Sequence, residues 1–157
     1  MMVEQLTVEA VLSAIGRHLA AHHVCTLATS HGDVPWAASS FYVPREVDLF
    51  VCQGKRARTL ANMRVNPRVA FAVDDRKAEA WLQGLGRAEL AGAEDEAWAR
   101  AALQRVAPEF IRHFNNPEYP VLLIRVDELT FADRPNGIHP RKHVINQNER
   151  WVFADET

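Results

Sequence analysis

Cysteine is scarce in this chain. Cys25 and Cys52 are the only two, and each lies inside an apolar run, so neither a disulfide framework nor a C-x-x-C redox or metal pair is available. Both are expected to be buried free thiols. Charge of one sign is also missing: 18 basic residues stand against 20 acidic ones, a net charge of −2, which provides no general attraction to nucleic acid or to an anionic membrane. No apolar run is long enough to cross a bilayer, and no basic and apolar leader opens the chain, which makes the cytoplasm the expected address. Internal repeats, low-complexity segments and linkers are absent as well. With 157 residues, 48% of them hydrophobic, one domain over residues 1–157 is expected.

Several chemical signatures are missing too. There is no G-x-S-x-G elbow and no Walker loop, and Gly84-Leu85-Gly86-Arg87-Ala88-Glu89 lacks the third glycine and the strand-to-helix setting of a dinucleotide fingerprint. The acidic run Glu94-Asp95-Glu96 reads as the first turn of a helix, where negative charge complements the helix dipole.

What is present is a regular alternation of short elements. Val8, Val11, Leu12, Ile15 and Leu19 recur at helical spacing from Thr7 to His22, with Thr7 as the expected cap. Val24 to Thr29 and Trp36 to Val43 read as two antiparallel strands around the turn Ser30-His31-Gly32-Asp33. Pro44-Arg45-Glu46 predicts a turn, and Val47 to Cys52 a third strand. A short helix is expected from Thr59 to Arg64, ended by Asn66-Pro67, followed by a strand from Arg68 to Val73 and a polar break at Asp74 to Lys77.

In the strand Ala80 to Leu90, Gly84 and Gly86 predict a bulge or a close backbone approach. Glu94 to Phe114 predicts a long helix divided at Pro108, and Tyr119 to Phe131 a buried strand broken at Asp127-Glu128. Last strands are expected at His143 to Ile145 and Trp151 to Phe153. Strands joined mainly by short turns point to an antiparallel barrel with peripheral helices, since a parallel sheet needs a crossover helix between most strands.

The most informative stretch joins two of these strands: Gly54-Lys55-Arg56-Ala57-Arg58-Thr59-Leu60-Ala61-Asn62. A glycine at a strand end, followed by cations that open a helix, concentrates side-chain charge, backbone N–H groups and the positive helix end at one place. That combination suits a phosphate, although a solvated helix start has the same composition.

The segments Cys25 to Thr29 with His31 to Pro35, Gly54 to Leu60, Asn66 to Ala70 and Gly86 to Leu90, taken in order, resemble the pyridoxamine 5′-phosphate oxidase-like flavin-binding split-barrel superfamily. Val121 to Asp133 and Arg141-Lys142 are similar to a branch of it distinct from the B6 oxidase itself. The resemblance implies a mainly β, antiparallel split barrel with peripheral helices, a homodimer, and FMN held in clefts at the subunit interface. A Ser-Arg-Lys-like turn binds the flavin phosphate in that family; here Gly54 falls on the Ser position, with Lys55 and Arg56 on the basic ones. The family's second-strand flavin contacts fall at Ser39, Ser40 and Phe41, beside Ala38.

Pyridoxamine phosphate oxidases also carry an Arg on this strand, a Lys at its end and a C-terminal Trp and Arg. This chain has Ala38 to Val43 on the strand, and Trp151 near its end without that ending. The expectation carried forward is therefore the fold and the flavin site, and not B6 phosphate oxidation.

Arg58 and Thr59 are further candidates for the phosphate. Trp36 and Trp81 could reach the flavin edge or pack in the core or at the dimer interface, and Arg141 with Lys142, in a loop after Asn136-Gly137, could complete the anion site from a partner subunit or stand solvated. His18 and His22 stand one helical turn apart, as do His139 and His143 by count, but neither pair has a third metal ligand and Pro140 removes the helical setting of the second. The expected activity is an FMN-dependent oxidoreductase acting on a small molecule, with no resident metal. A flavin or haem carrier of the same fold, or a cofactor-free interaction protein, remains as an alternative, and a deazaflavin could take the place of FMN.

Overall fold

A computed structural model of the chain describes residues 5–154. Helix α1, Val8–Ala21, begins where Thr7 accepts a hydrogen bond from the Ala10 amide at 3.1 Å, and it buries Val11, Ala14, Ile15, His18 and Leu19. The cap and the apolar stripe both lie where the spacing predicts them. Strands β1, Val24–His31, and β2, Val34–Phe41, form a hairpin around Gly32, whose φ of 60° is a conformation that glycine adopts without strain.

The second expected strand does not run through to Val43. Tyr42 ends it by turning inward, where its hydroxyl donates to the Leu19 carbonyl at 2.7 Å, and Val43–Arg45 forms a separate strand, β3. Strand β4, Asp48–Cys52, pairs with β3 across a turn at Glu46, so Pro44 and Arg45 belong to a strand rather than to the turn. The strand counted third from the sequence is thus the fourth.

Helix α2, Arg58–Val65, leads into β5, Arg68–Asp75, and β6, Ala80–Leu90. Asp74 and Asp75 extend β5 and move the polar break to residues 76–79. The glycines of β6 both permit close approach: a Cβ on Gly84 would lie 2.2 Å from Cζ of Phe71, and one on Gly86 2.4 Å from the Arg125 carbonyl oxygen. The β6–β7 register also shifts between Leu85 and Gly86.

Helix α3, Ala93–Val106, is separated from the short α4, Ile111–Phe114, by a 3-10 turn that begins at Pro108. Strand β7, Val121–Asp133, then passes without a break through Asp127 and Glu128. The expected interruption is a bulge and not a break: Leu85 pairs with Glu128 and Gly86 with Val126, which leaves Asp127 as the extra residue on β7 while the strand stays extended. Strands β8, Ile138–Gln147, and β9, Arg150–Phe153, close the described chain. Arg141 and Lys142 therefore lie in a strand and not in a loop.

Among the described residues all nine strands belong to one sheet, with the path β2-β1-β5-β6-β7-β4-β3, β8 pairing with β7 and β9 with β8. Every pairing is antiparallel. Strand β7 keeps β6 on one edge, while its other edge pairs with β4 through Val121–Ile124 and with β8 from Glu128 onward. The sheet curls and divides there into a split barrel. The Asp48 carboxylate accepts the Val126 amide at 2.9 Å, satisfying a backbone donor between the two partners of β7.

Two cores result. Val11, Ile15, Leu19, Leu27, Leu49, Val51, Phe71, Leu82, Ile124 and Phe131 fill the larger one. Alternate residues of the same strands, Phe50 and Cys52 of β4 and Val121 and Leu123 of β7, join Ala99, Leu103 and Phe114 in the smaller. Burial on both faces explains why β4 reads as apolar from Leu49 to Cys52.

Candidate functional site

The C-terminal ends of β2 and β4 lie side by side, and α4 closes over them. Between them is a cavity of about 330 Å³ lined by Val24, Ser39, Ser40, Phe41, Cys52, Gln53, Gly54, Phe110, His113 and Phe114. Four of the residues singled out from the sequence, Ser39, Ser40, Phe41 and Gly54, thus meet at one site. The volume is at the lower end of the range of about 300–1,000 Å³ for small-molecule pockets. The Gln53 amide donates to Ser40 Oγ at 3.1 Å, and Ser40 Oγ donates to the Phe41 carbonyl at 3.0 Å, which fixes the polar floor.

Gly54 forms one rim and leads directly to the basic turn. The Ala57 amide bonds to the Gly54 carbonyl at 3.0 Å, closing a tight turn that presents Lys55 and Arg56 to solvent. Ala57 is the N-cap of α2, and no side chain caps the helix there. Uncapped first-turn N–H groups beside Lys55, Arg56 and Arg58 form a donor set chemically suited to a phosphate. A Cβ at Gly54 would meet nothing within 4 Å, so packing does not demand the missing side chain.

The other candidates are distributed more widely. Lys55 pairs with Glu118 at 3.2 Å in an exposed ion pair. Arg58 lies over the Trp36 ring, 4.6 Å from its centroid, and Thr59 is 3% exposed, packed at the base of the helix rather than standing free. Trp81 and Arg141 line a different cavity, with His139, Pro140, Lys142, His143 and Phe153, which holds about 850 Å³. Within one chain they do not join the basic turn.

Gln53, Phe110 and His113 were not among the candidates from the sequence. Gln53 is a polar residue directly after an apolar strand, and that contrast was the available signal. His113 and Phe110 carried none, because their place depends on how the segment after Pro108 folds back. The His113 ring packs 4.8 Å from Tyr119, centroid to centroid, with Nε2 3.4 Å from the Cys52 carbonyl oxygen.

The two cysteines and the two histidines of the α1 end have structural roles. Burial pushes the Cys25 thiol up to about 12 and also raises that of Cys52, so both are protonated, buried free thiols. His18 bonds through Nε2 to the Val73 carbonyl at 2.8 Å, and desolvation holds its pKa below the ordinary value. His22 uses Nδ1 on the His18 carbonyl and Nε2 on Asp75. Among the described residues no group of three or more His, Cys, Asp or Glu could hold a metal ion, and no helix is long and apolar enough to cross a membrane.

The family model described as pyridoxamine 5′-phosphate oxidase matches residues 13–132. The UPF0306 protein YhbP of Salmonella newport is 30% identical over 144 residues, covering 87% of this chain and 95% of that protein. Among solved structures, a heme-binding protein of Mycobacterium smegmatis superposes with a TM-score of 0.74 at 22% identity, over 91% of this chain and 60% of that one. A FAD-binding protein of Mesorhizobium loti superposes with a TM-score of 0.62 at 18% identity, over 83% of this chain and 97% of that one.

Proposed function

This chain belongs to the pyridoxamine 5′-phosphate oxidase family, and from that premise we propose that it is an FMN-binding oxidoreductase that works as a homodimer on a small molecule. The observation that carries the reading is the meeting of Ser39, Ser40, Phe41 and Gly54 at one cavity whose rim continues into the uncapped start of α2. Lys55 and Arg56 would hold the phosphate by charge-assisted hydrogen bonds, while the β2 strand and the Phe110 side of the cavity would flank the ring. Bound flavin supplies the electron transfer; the protein supplies position, electrostatics and exclusion of water. The absence of the oxidase-type Arg and Lys on β2 argues against a B6 phosphate as the substrate.

A second copy is favoured by the outer face of the sheet. Thr26 and Ala28 of β1, Ala70 and Ala72 of β5, Gln83 and Leu85 of β6, and Glu128 and Thr130 of β7 lie in register across four strands. Two adjoining cavities of about 450 and 690 Å³ open on this face. The small side chains among them, Thr26, Ala28, Ala70, Ala72 and Thr130, allow another backbone to approach closely. In a dimer, Trp81, Arg141 and Lys142 of one subunit would complete the cofactor site of the other.

Haem is the second reading, favoured by His113 as the imidazole in a wall that also contains Phe41, Phe110 and Phe114. Absorbance spectra of the purified protein, alone and after addition of FMN or haemin, decide between the cofactors. Anaerobic bleaching of bound flavin by NADH or NADPH then tests turnover. A Soret band with no flavin uptake would overturn the FMN reading, and bound flavin that no donor or substrate reduces would leave a carrier.

A further inference from the structure

One wall of the proposed cofactor cavity is formed by Phe110, His113 and Phe114, from the short segment between Pro108 and β7. Four residues of helix make a weak structure on their own. What holds the segment is a side chain outside the cavity. Arg100 of α3 directs Nη1 to the carbonyls of Phe114, at 2.7 Å, and Asn116, at 3.2 Å, and Nη2 to the carbonyl of Tyr119, at 2.7 Å. Its Nε and Nη2 also donate to Glu96 Oε1 at 3.1 and 2.7 Å.

The five N–H donors of the guanidinium are therefore all engaged. The Arg100 side chain is only 14% exposed, so these bonds form in a partly desolvated setting where they count for more. Nη1 also lies 3.9 Å from the thiol of Cys52, a residue of the opposite cavity wall. One planar group thus spans the end of α4, the loop to β7 and the end of β4.

We propose that Arg100 is the positioning residue of the cofactor cavity: by clasping three carbonyls of the 114–119 segment it holds Phe110 and His113 over the Ser39–Phe41 strand. A lysine offers one ammonium at one point and does not reproduce a fork that reaches three separated carbonyls. The inference rests on the flavin reading for its ligand but not for the clasp. Because Phe110 and His113 would face the ring and not the phosphate, losing the clasp would weaken FMN and riboflavin equally, whereas losing Lys55 and Arg56 would weaken FMN alone.

The test uses Arg100→Lys and the milder Glu96→Gln, which leaves the guanidinium in place and alters only the acceptor of its Nε side. Arg100→Lys is expected to raise the dissociation constants of FMN and riboflavin by at least tenfold each, and Glu96→Gln by about threefold each. Hydrogen exchange over residues 108–119 of the cofactor-free protein should be at least tenfold faster in Arg100→Lys, while exchange of β5 and β6 stays unchanged. Unchanged affinity with unchanged exchange, or a loss confined to FMN, overturns the proposal. Should Arg100→Lys fail to fold, Glu96→Gln decides by the same two readouts. If the wild type binds no flavin, the functional reading fails while the exchange comparison still tests the clasp.

Discussion

The guanidinium of Arg58 lies 4.6 Å from the ring centroid of Trp36, tying the first residue of α2 to strand β2. This contact links the two halves of the proposed site, because β2 carries Ser39, Ser40 and Phe41 while α2 begins at the basic turn. A cation–π contact at an exposed site is worth about 0.5–1 kcal/mol. Trp36→Ala should therefore weaken FMN binding by about two- to fivefold. Thermal stability should change by under about 1 kcal/mol, because Trp36 is already exposed. Isothermal titration and a melt of the same samples check both parts.

Lys55 is partnered by Glu118, with side chains 58% and 61% exposed. An ion pair that open contributes little to stability but competes with an incoming phosphate for the ammonium. Glu118→Gln should leave the denaturant midpoint unchanged, tighten FMN about two- to threefold, and leave riboflavin unaffected. Tightening of both ligands would show that Glu118 acts on the ring instead of on the anion site.

Gly84 faces Phe71 across the β5–β6 ladder with no room for a methyl group. Gly84→Ala should cost about 1–3 kcal/mol by overpacking. Because the obstacle is a ring and not backbone, adding Phe71→Leu should recover part of that loss. The measurement is a double-mutant cycle in urea, with a favourable coupling energy expected.

His18 provides a pH dependence with a definite sign. Desolvation lowers its folded pKa below the ordinary 6.5, so the native state favours the neutral ring and the unfolded chain takes up the proton first. Stability is then fully present above about pH 6.5 and falls as the pH drops from there toward the folded value. Urea midpoints from pH 8 to pH 5 should decline over that window, and His18→Gln should flatten the decline. Asp75 and Asp95, whose pKa values are lowered by a backbone amide and by Arg45 respectively, act below their ordinary 3.8 and leave this window untouched.

The readability of the chain depended on how local each signal was. Helix α1 and the division at Pro108 follow from nearest-neighbour spacing and backbone chemistry, and both stand. The close approaches at Gly84 and Gly86 were also legible, since a glycine within an apolar strand leaves few other reasons for its presence. Asp127-Glu128 marked a real irregularity of a milder kind than a break: Asp127 is the unpaired extra residue of a bulge, and the strand continues because Val126 and Glu128 on either side of it keep their β6 partners. Val43–Arg45 was missed because Pro44 has the composition of a turn, although here it lies on an outermost strand of the sheet, where a missing N–H is tolerated.

For the site, residues close in sequence could be grouped in advance. Gly54 to Thr59 form one turn and helix start, and Ser39 to Phe41 one strand end. The wall contributed by Phe110 and His113, and the Arg100 clasp behind it, depend on contacts that bring α3 and α4 to β4, across 48 and 61 residues of chain. No periodicity or motif records such contacts. Arg141 and Trp81 line one cavity, but a second subunit would be needed to bring them to the basic turn.

The most direct test of the account is a fluorescence titration of cofactor-stripped protein with FMN and with riboflavin, for the wild type and for Lys55→Ala/Arg56→Ala. The wild type should prefer FMN, and the double variant should lose at least about tenfold of FMN affinity, about 1.4 kcal/mol, while its riboflavin affinity and its fold are unchanged. Equal affinity of the wild type for both ligands, or an unaltered FMN affinity in the double variant, would contradict a phosphate held at the start of α2.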